Sequence, residues 1–252
     1  MAKRTVLDMT QSILSEMDSD NVNSIDDTEE SLQVANIIKD TFFEILTDGD
    51  WPHLNTLFAL SASGTSVRPT HMTLPENVQE VKSVKYNVKT SATAKDVYMD
   101  ITYLYPDEFL AMLSQRTSTA SNVDAITDPG GVPLLIVNDS APTYYTSFDN
   151  DILVFDAYDS DLENTLQGSK TQCWGPREPT FSLTDNHIPD LPSKGFPFLL
   201  SESKSKCFNT LKQSANPKEE AIAGRQRRRM SQSRYRLAGG IRYPNYGRRG
   251  KK

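Results

Sequence analysis

The sequence predicts an α+β protein in which terminal amphipathic helices pack together as a bundle, with an antiparallel β domain inserted between them and a basic extended C-terminal tail. Apolar residues recur at three- and four-residue spacing near both ends, whereas residues 57–182 form short β-rich runs separated by Pro, Gly, Asn and Asp. The last 28 residues carry eleven Lys or Arg and no Asp or Glu. These patterns predict four parts: residues 1–60, 61–190, 191–224 and 225–252.

The bulk composition is ordinary for a folded protein, with 37% hydrophobic residues in 252. No apolar run approaches the roughly 18 residues that a membrane span requires, and the N-terminus lacks an apolar signal core. We therefore expect neither secretion by that route nor membrane insertion. The two cysteines, Cys173 and Cys207, have no Cys or His at metal-ligand spacing, so we expect them to be reduced and buried.

Two helices are predicted at the N-terminal end. The first begins after Thr5 as N-cap, and the second after Asp27, with Glu30 at the capping-box position, ending near Gly49. Their apolar faces comprise Val6, Met9, Ile13, Leu14 and Met17 in the first helix and Leu32, Ala35, Ile38, Phe42, Ile45 and Leu46 in the second. Trp51 follows, and we expect it to close the edge of the core, the alternative being a binding aromatic.

The β-rich part has six candidate strands. They are Val81–Val88, Val97–Leu104, Val132–Val137, Tyr144–Phe148, Ile152–Ala157 and Thr165–Trp174. The segment Asp149-Asn150-Asp151 predicts a hairpin turn. A short helix is expected to begin at Pro106 in the first-turn position, with Asp107 and Glu108 near its positive end.

Helices return near the C-terminal end. From Phe196, one stripe is predicted to contain Leu199, Leu200, Ser203, Cys207 and Leu211, with Lys204, Lys206 and Lys212 off it. A further helix is expected to begin after Asn216 as N-cap, with Pro217 in its first turn, and to continue toward Arg229.

No motif for catalysis, cofactor binding or metal binding is present in the sequence, so we assign no catalytic, cofactor-binding or metal-binding residue and expect no enzyme. The histidines His53, His71 and His187 are far apart and unaccompanied. The carboxylate clusters 18–27, 149–151 and 156–161 lack the periodicity of a calcium loop, which favours solvated acidic loops over a structural ion.

The basic tail is the predicted site of interaction. Its candidate residues are Arg225, Arg227, Arg228, Arg229, Arg234, Tyr235, Arg236, Arg242, Tyr243, Arg248, Arg249, Lys251 and Lys252. From the residues alone, the tail could bind nucleic acid through phosphates, line a conduit for it, dock on an acidic protein surface or remain solvated. Tyrosines among arginines suit stacking on bases or a protein groove equally.

Segments at both ends of the chain carry a resemblance to a known family. They are residues 20–25, the helix from Asp27 to Leu46 and residues 49–54, then residues 188–192, the helix from Phe196 to Lys212 and residues 215–220. In this order they resemble the tail tubular protein A family, the head-to-tail adaptors of short-tailed bacteriophages. Residues 144–148 and 152–158 also look like strands common in phage proteins of this type. The resemblance covers residues 5–60 and 140–225, and the basic tail departs from shorter members.

The resemblance implies a structural virion protein at the head–tail interface, assembled in the host cytoplasm. The family forms a dodecameric ring that joins the portal protein to the tail nozzle, helps to seat tail fibres and leaves an axial channel for DNA. It requires no cofactor. Membrane binding and sequence-specific DNA contact are not expected.

Two alternatives come from other classes of protein. A nucleic-acid-binding protein with a basic arm would lose affinity steeply as salt rises. A glycan hydrolase would need paired carboxylates roughly 5–10 Å apart, for which Asp149, Asp151, Asp156 and Glu163 are candidates.

Overall fold

The computed structural model describes residues 3–89 and 94–232, which form two units. The helical unit comprises the chain up to Leu54 and from Pro179 onward, and the β-rich unit is Asn55–Glu178. Helices α1 (Val6–Glu16), α2 (Glu29–Thr47), α4 (Phe196–Leu211) and α5 (Pro217–Gln232) belong to the first unit, and α3 (Pro106–Ser114) to the second. The α+β class is therefore confirmed.

Capping residues fix where α1 and α2 begin. Thr5 caps α1 as predicted, and its hydroxyl accepts a hydrogen bond from the Asp8 backbone N–H. The predicted N-cap of α2, Asp27, is wrong, because its carboxylate accepts hydrogen bonds from the backbone N–H groups of Asn23 and Ser24 at 2.7 and 2.9 Å. Thr28 caps the helix instead and forms a capping box with Ser31.

The core of the helical unit lies between α1, α2 and α4, with α5 packed on α4. Its largest members are fully buried, among them Phe42, whose ring contacts those of Phe43 and Phe181 at centroid distances of 5.4 and 5.2 Å. Trp51 is buried, and its indole N–H donates to the Ile45 carbonyl at 3.1 Å. The interpretation of Trp51 as a core residue is confirmed.

Helix α4 is buried more widely than its predicted stripe, because Phe198, Ser201, Lys204 and Ser205 are buried as well. Lys204 was placed off the apolar face, but it is buried, and its ammonium group forms an ion pair with Glu16. An isolated buried ammonium is costly, so this carboxylate is what permits the lysine to lie inside. The prediction for Lys204 was therefore wrong because it considered α4 without α1.

Helix α5 begins where it was predicted. The Asn216 side-chain oxygen accepts from the Glu219 backbone N–H at 3.3 Å, and Pro217 occupies the first turn. The helix was predicted to continue toward Arg229 and extends to Gln232, so among the described residues only 230–232 are helical where an extended tail was predicted. Residues 233–252 of the predicted tail lie outside the described residues.

The β-rich unit contains ten strands among its described residues. They are β1 (Asn55–Phe58), β2 (Ser61–Ala62), β3 (His71–Thr73), β4 (Ser83–Asn87), β5 (Tyr98–Tyr103), β6 (Val123–Thr127), β7 (Pro133–Val137), β8 (Tyr144–Ser147), β9 (Ile152–Phe155) and β10 (Thr171–Pro176). Eight form one sheet in the order β1-β10-β4-β5-β8-β9-β3-β2, and β6 pairs with β7 separately.

The sheet is mixed, which corrects the antiparallel prediction. Strands β5 and β8 run parallel, with Tyr103 opposite Tyr145, and every other neighbouring pair among the described strands is antiparallel. A parallel pair needs a long crossover, which here contains α3, β6 and β7. The predicted α3 and the β8–β9 hairpin turn, where Asn150 has a φ of 67°, are confirmed.

The last predicted strand was wrong over residues 165–170. Gly168–Lys170 form a 3-10 turn, closed by the Thr171 hydroxyl donating to the Gly168 carbonyl at 2.7 Å, and β10 starts only after it. Strands β1, β2, β3 and β6 were not predicted. None of the described helices is both long and apolar enough to span a membrane.

A buried histidine joins β3 to the end of β6. His71 is 3% exposed, and its Nε2 lies 3.1 Å from an Asp128 carboxylate oxygen. Burial lowers the pKa of His71 below 6.5, although Asp128 and Asp149 oppose this, while Arg68 lowers it further. The unfolded chain therefore takes up a proton at a higher pH than the folded chain.

We expect the β-rich unit to lose stability as pH falls below about 6.5, the ordinary pKa of histidine, toward the lower folded pKa of His71. Replacing His71 with Gln should reduce this pH dependence. The measurement is urea unfolding between pH 7.5 and 5, followed through the methyl NMR signal of Met72, which is fully buried in β3. Equal pH dependence in both proteins would contradict the prediction.

Candidate functional site

Helix α5 presents an arginine face to solvent. Its buried side chains, Ala223 and Met230, lie seven residues apart and belong to the core of the helical unit. Two helical turns separate them, so they fix which side of the helix faces inward. Arg225, Arg228 and Arg229 are consequently exposed.

Arg227 is held differently from its neighbours. Its Nε and Nη2 donate to one carboxylate oxygen of Asp48, just after α2, at 3.0 and 2.7 Å. Arg225 donates only to the Ala221 carbonyl of its own helix, at 3.2 Å. With respect to the residues that the structure describes, Arg225, Arg228 and Arg229 form no salt bridge. We call these three residues the arginine face.

The position of the arginine face along α5 suits the helix dipole. Glu219 and Glu220 occupy the first turn, near the positive end, and Arg229 lies in the last turn, near the negative end. The other predicted tail residues, Arg234, Tyr235, Arg236, Arg242, Tyr243, Arg248, Arg249, Lys251 and Lys252, lie outside the described residues.

The β-rich unit contains a cavity of about 240 Å³ that the sequence did not predict. Charged residues in its lining are Lys89, Asp139, Asp159, Glu163 and Lys170, and Tyr86 and Tyr158 also line it. We call this cavity the acidic pocket, because its carboxylates outnumber its ammonium groups.

Hydrogen bonds hold the two tyrosines of the acidic pocket. The Tyr158 hydroxyl donates to Asp124 at 2.7 Å, and the Tyr86 hydroxyl accepts from the Gln167 backbone N–H at 3.3 Å. Burial raises the pKa of both hydroxyls to about 12, with further contributions from Asp124 to Tyr158 and from Glu163 to Tyr86. Both tyrosines are therefore neutral near pH 7.

Three of the four carboxylates proposed for a glycan hydrolase have a structural contact. Asp149 accepts from the backbone N–H groups of Asp151 and Ile152 in the β8–β9 turn. Asp156 is buried and pairs with Arg116 at 3.0 Å, and Glu163 pairs with Lys170 at 3.1 Å. For Asp156 this contact opposes a catalytic role, since its carboxylate also accepts from two backbone N–H groups.

The histidines and cysteines are the remaining side chains that could take part in chemistry. His53 lies 2.9 Å from the Asp190 carbonyl oxygen, and burial lowers the pKa of His187. Cys173 and Cys207 are free and buried, which raises the pKa of each thiol to about 12. Within residues 3–89 and 94–232, no group of three or more His, Cys, Asp or Glu side chains has the arrangement of a metal site.

One signal in the sequence could have indicated the acidic pocket. Residues 139–163 contain seven Asp or Glu and no Lys or Arg. Three of its lining carboxylates come from this segment, whereas Tyr86 and Lys89 come from the end of β4 and the residues after it. The sequence matches no protein-family model, and no curated protein matches it.

Proposed function

We propose that this chain is a structural virion protein, a head-to-tail adaptor of the tail tubular protein A type that joins the portal to the tail nozzle. The observation that carries the proposal is the arginine face of α5, which lies directly before a segment of the same charge. The resemblance of the two helical ends to that family supplies the kind of assembly. The proposed site of action is the head–tail interface of a virion.

In this proposal the arginine face and residues 233–252 bind an acidic surface of the portal. Guanidinium groups pair with carboxylates through two donors, and Arg227 binds Asp48 through two nitrogens within this chain. A partner with exposed carboxylates would meet three further guanidinium groups on the same helix.

Charge favours protein over DNA as the partner of this region. The first 224 residues carry sixteen basic and thirty-three acidic side chains, so they repel a polyanion. Fixed cations along a channel would also retain phosphates and slow the passage of DNA. We therefore propose that DNA passes through the ring without sequence-specific contact. The resemblance further suggests the ring size, which is dodecameric in the family, and contacts of the ring with the nozzle and the tail fibres.

The proposal is tested by measuring the mass of the purified full-length chain by light scattering, alone and mixed with the portal protein encoded in the same genome. We expect a complex with several copies of this chain on each portal ring. No complex in low or moderate salt would overturn the proposal. Binding to duplex DNA that weakens steeply with salt would then favour a nucleic-acid-binding arm.

Substitutions on α5 test which residues bind the portal. Changing Arg225, Arg228 and Arg229 together to Gln should weaken portal binding at least about tenfold, or ~1.4 kcal/mol. The matched control changes Lys194, Lys212 and Lys218, three exposed lysines of the same unit, to Gln. The measurement is the dissociation constant by calorimetry, and an equal loss in the control would contradict a specific arginine face.

Truncation tests the segment that follows α5. Ending the chain after Gln232 keeps Met230, which is 5% exposed and belongs to the core, whereas ending it before Arg225 would remove Met230. The chain ended after Gln232 should stay folded by circular dichroism and bind the portal more weakly. A third protein combines this truncation with the triple arginine substitution. If it bound the portal as tightly as the full-length chain, the assignment of this region to portal binding would be refuted.

A further inference from the structure

We propose that the acidic pocket binds a guanidinium or alkylammonium group. This goes beyond the proposed function, because the pocket lies in the β-rich unit and α5 belongs to the helical unit. Three features of the pocket point to a cationic guest: its charge, an unpaired buried oxygen and its aromatic lining.

The charge of the lining favours a cation. Asp139, Asp159 and Glu163 face only two ammonium groups, those of Lys89 and Lys170. Lys89 pairs with Asp96 at 3.1 Å, a carboxylate outside the lining, and this adds negative charge beside the pocket. Among the residues that the structure describes, no Lys or Arg pairs with Asp139 or Asp159. An anionic guest would meet uncompensated carboxylates and two ammonium groups that already have partners.

Glu163 supplies an acceptor without a donor. The Glu163 side chain is 33% exposed, and one of its carboxylate oxygens binds Lys170 at 3.1 Å. The other oxygen, Oε2, is itself buried and has no hydrogen-bond partner within residues 3–89 and 94–232. A buried carboxylate oxygen without a donor is unfavourable, and a hydrogen bond from a charged donor is stronger than one from a neutral donor. A guanidinium or ammonium N–H would satisfy this oxygen.

The aromatic lining and the size of the pocket further limit which cations would fit. Tyr86 and Tyr158 line it, and tyrosine rings attract cations. The cavity of about 240 Å³ equals roughly eight water molecules at ~30 Å³ each. This lies below the range of about 300–1,000 Å³ that is usual for drug-sized ligands. The pocket therefore suits one long basic side chain or a small organic cation.

The test is an NMR titration of the full-length, isotopically labelled protein with Nα-acetyl-arginine amide and with the citrulline analogue, its neutral isostere. We expect saturable shifts of the Tyr86, Asp159 and Glu163 amides with the arginine compound and at least tenfold weaker binding of the citrulline compound. Absence of saturable shifts at these residues, or equal binding of both compounds, would overturn the proposal.

Variants test whether arginine binding depends on the acidic pocket itself or on the general negative charge of the β-rich unit. Glu163→Gln and Asp159→Asn should each weaken arginine binding at least fivefold, whereas Asp107→Asn, which changes an exposed carboxylate of α3 outside the lining, should leave it unchanged. An equal effect of all three substitutions would refute the pocket as the site. The amide spectrum of each variant shows whether it has kept its fold.

A second titration distinguishes the source of the cation. A peptide of residues 241–252 carries five Arg or Lys side chains, and its analogue replaces each arginine with citrulline and each lysine with norleucine. Tighter binding of the basic peptide than of Nα-acetyl-arginine amide, at the same residues, identifies a basic protein segment as the guest. Similar affinities identify a small cation, and binding of the neutral peptide as tightly as the basic one would contradict the proposal.

Discussion

Replacing Phe42 with Ala is expected to lower the free energy of unfolding of the helical unit by about 3–5 kcal/mol. Phe42 is fully buried on α2, and its ring contacts Phe43 and Phe181. Its replacement by Ala loses the transfer free energy of the phenyl ring and leaves a cavity that surrounding residues fill only in part. Because Phe181 follows the β-rich unit in sequence, the contact joins two distant segments of the helical unit.

The two tryptophans allow this prediction to be measured. Trp51 is buried in the helical unit, and Trp174, which is 40% exposed, belongs to the β-rich unit. In a Trp174→Phe background, Trp51 fluorescence alone reports denaturant unfolding of the helical unit. The matched control is Leu32→Ala on the same helix. Leu32 was predicted to lie on the apolar face of α2, but it is 39% exposed, so its replacement should cost less than about 1 kcal/mol. A loss for Phe42→Ala no greater than for the control would contradict the assigned core.

Features of the fold that depend on neighbouring residues could be predicted from the sequence. Thr5, Pro106 and Asn216 mark the starts of helices because capping chemistry acts within three residues. The start of α2 was predicted one residue early, since Asp27 and Thr28 can both act as N-caps. Only the folded chain shows that Asp27 is already engaged by two backbone N–H groups.

Features that depend on distant partners could not be predicted. The periodicity of α4 placed Lys204 outside, and only the ion pair with Glu16, 188 residues away, explains its burial. Strand β3 is three residues long, and its pairing with β9 depends on residues about eighty positions later. Hydrophobic patterns over so few residues carry little information.

The arginine face and the acidic pocket also differ in whether neighbouring or distant residues determine them. The arginine face could be predicted because the exposure of Arg225, Arg228 and Arg229 follows from helical spacing around Ala223 and Met230. The acidic segment 139–163 could have indicated part of the lining of the acidic pocket, but not the pocket itself, because Tyr86 and Glu163 are 77 positions apart in the sequence and meet only through folding.

Removing the guanidinium of Arg116 is expected to destabilise the β-rich unit by about 3–5 kcal/mol. Arg116 follows α3, and its side chain donates to the Leu135 carbonyl at 3.0 Å, the Asp156 carbonyl at 2.6 Å and the Asp156 carboxylate at 3.0 Å. It thereby links the end of α3 to β7 and to the residue after β9. Arg116→Met would leave a buried carboxylate without its counter-charge. It would also remove one donor from each of the two carbonyls, although the Asp156 carbonyl would still accept from the Val137 backbone N–H at 3.3 Å.

The expected loss is measured by urea unfolding followed through the Met72 methyl signal. An exposed pair in the same unit provides the control: Lys85 and Asp100 lie 3.1 Å apart with side chains 43% and 76% exposed, so Lys85→Met should cost less than about 1 kcal/mol.

The substitution Asp156→Asn tests the ion pair from the side of the carboxylate. The asparagine can still accept hydrogen bonds from the Thr143 and Tyr144 backbone N–H groups if its amide oxygen faces them. Combined with Arg116→Met, it removes both charges and should recover part of the stability that Arg116→Met loses, because no unpaired buried charge then remains. The alternative is that the two substitutions are additive, so that the double variant is less stable than Arg116→Met by the full cost of Asp156→Asn alone. The two groups would then act independently, and this would contradict the ion pair as the link.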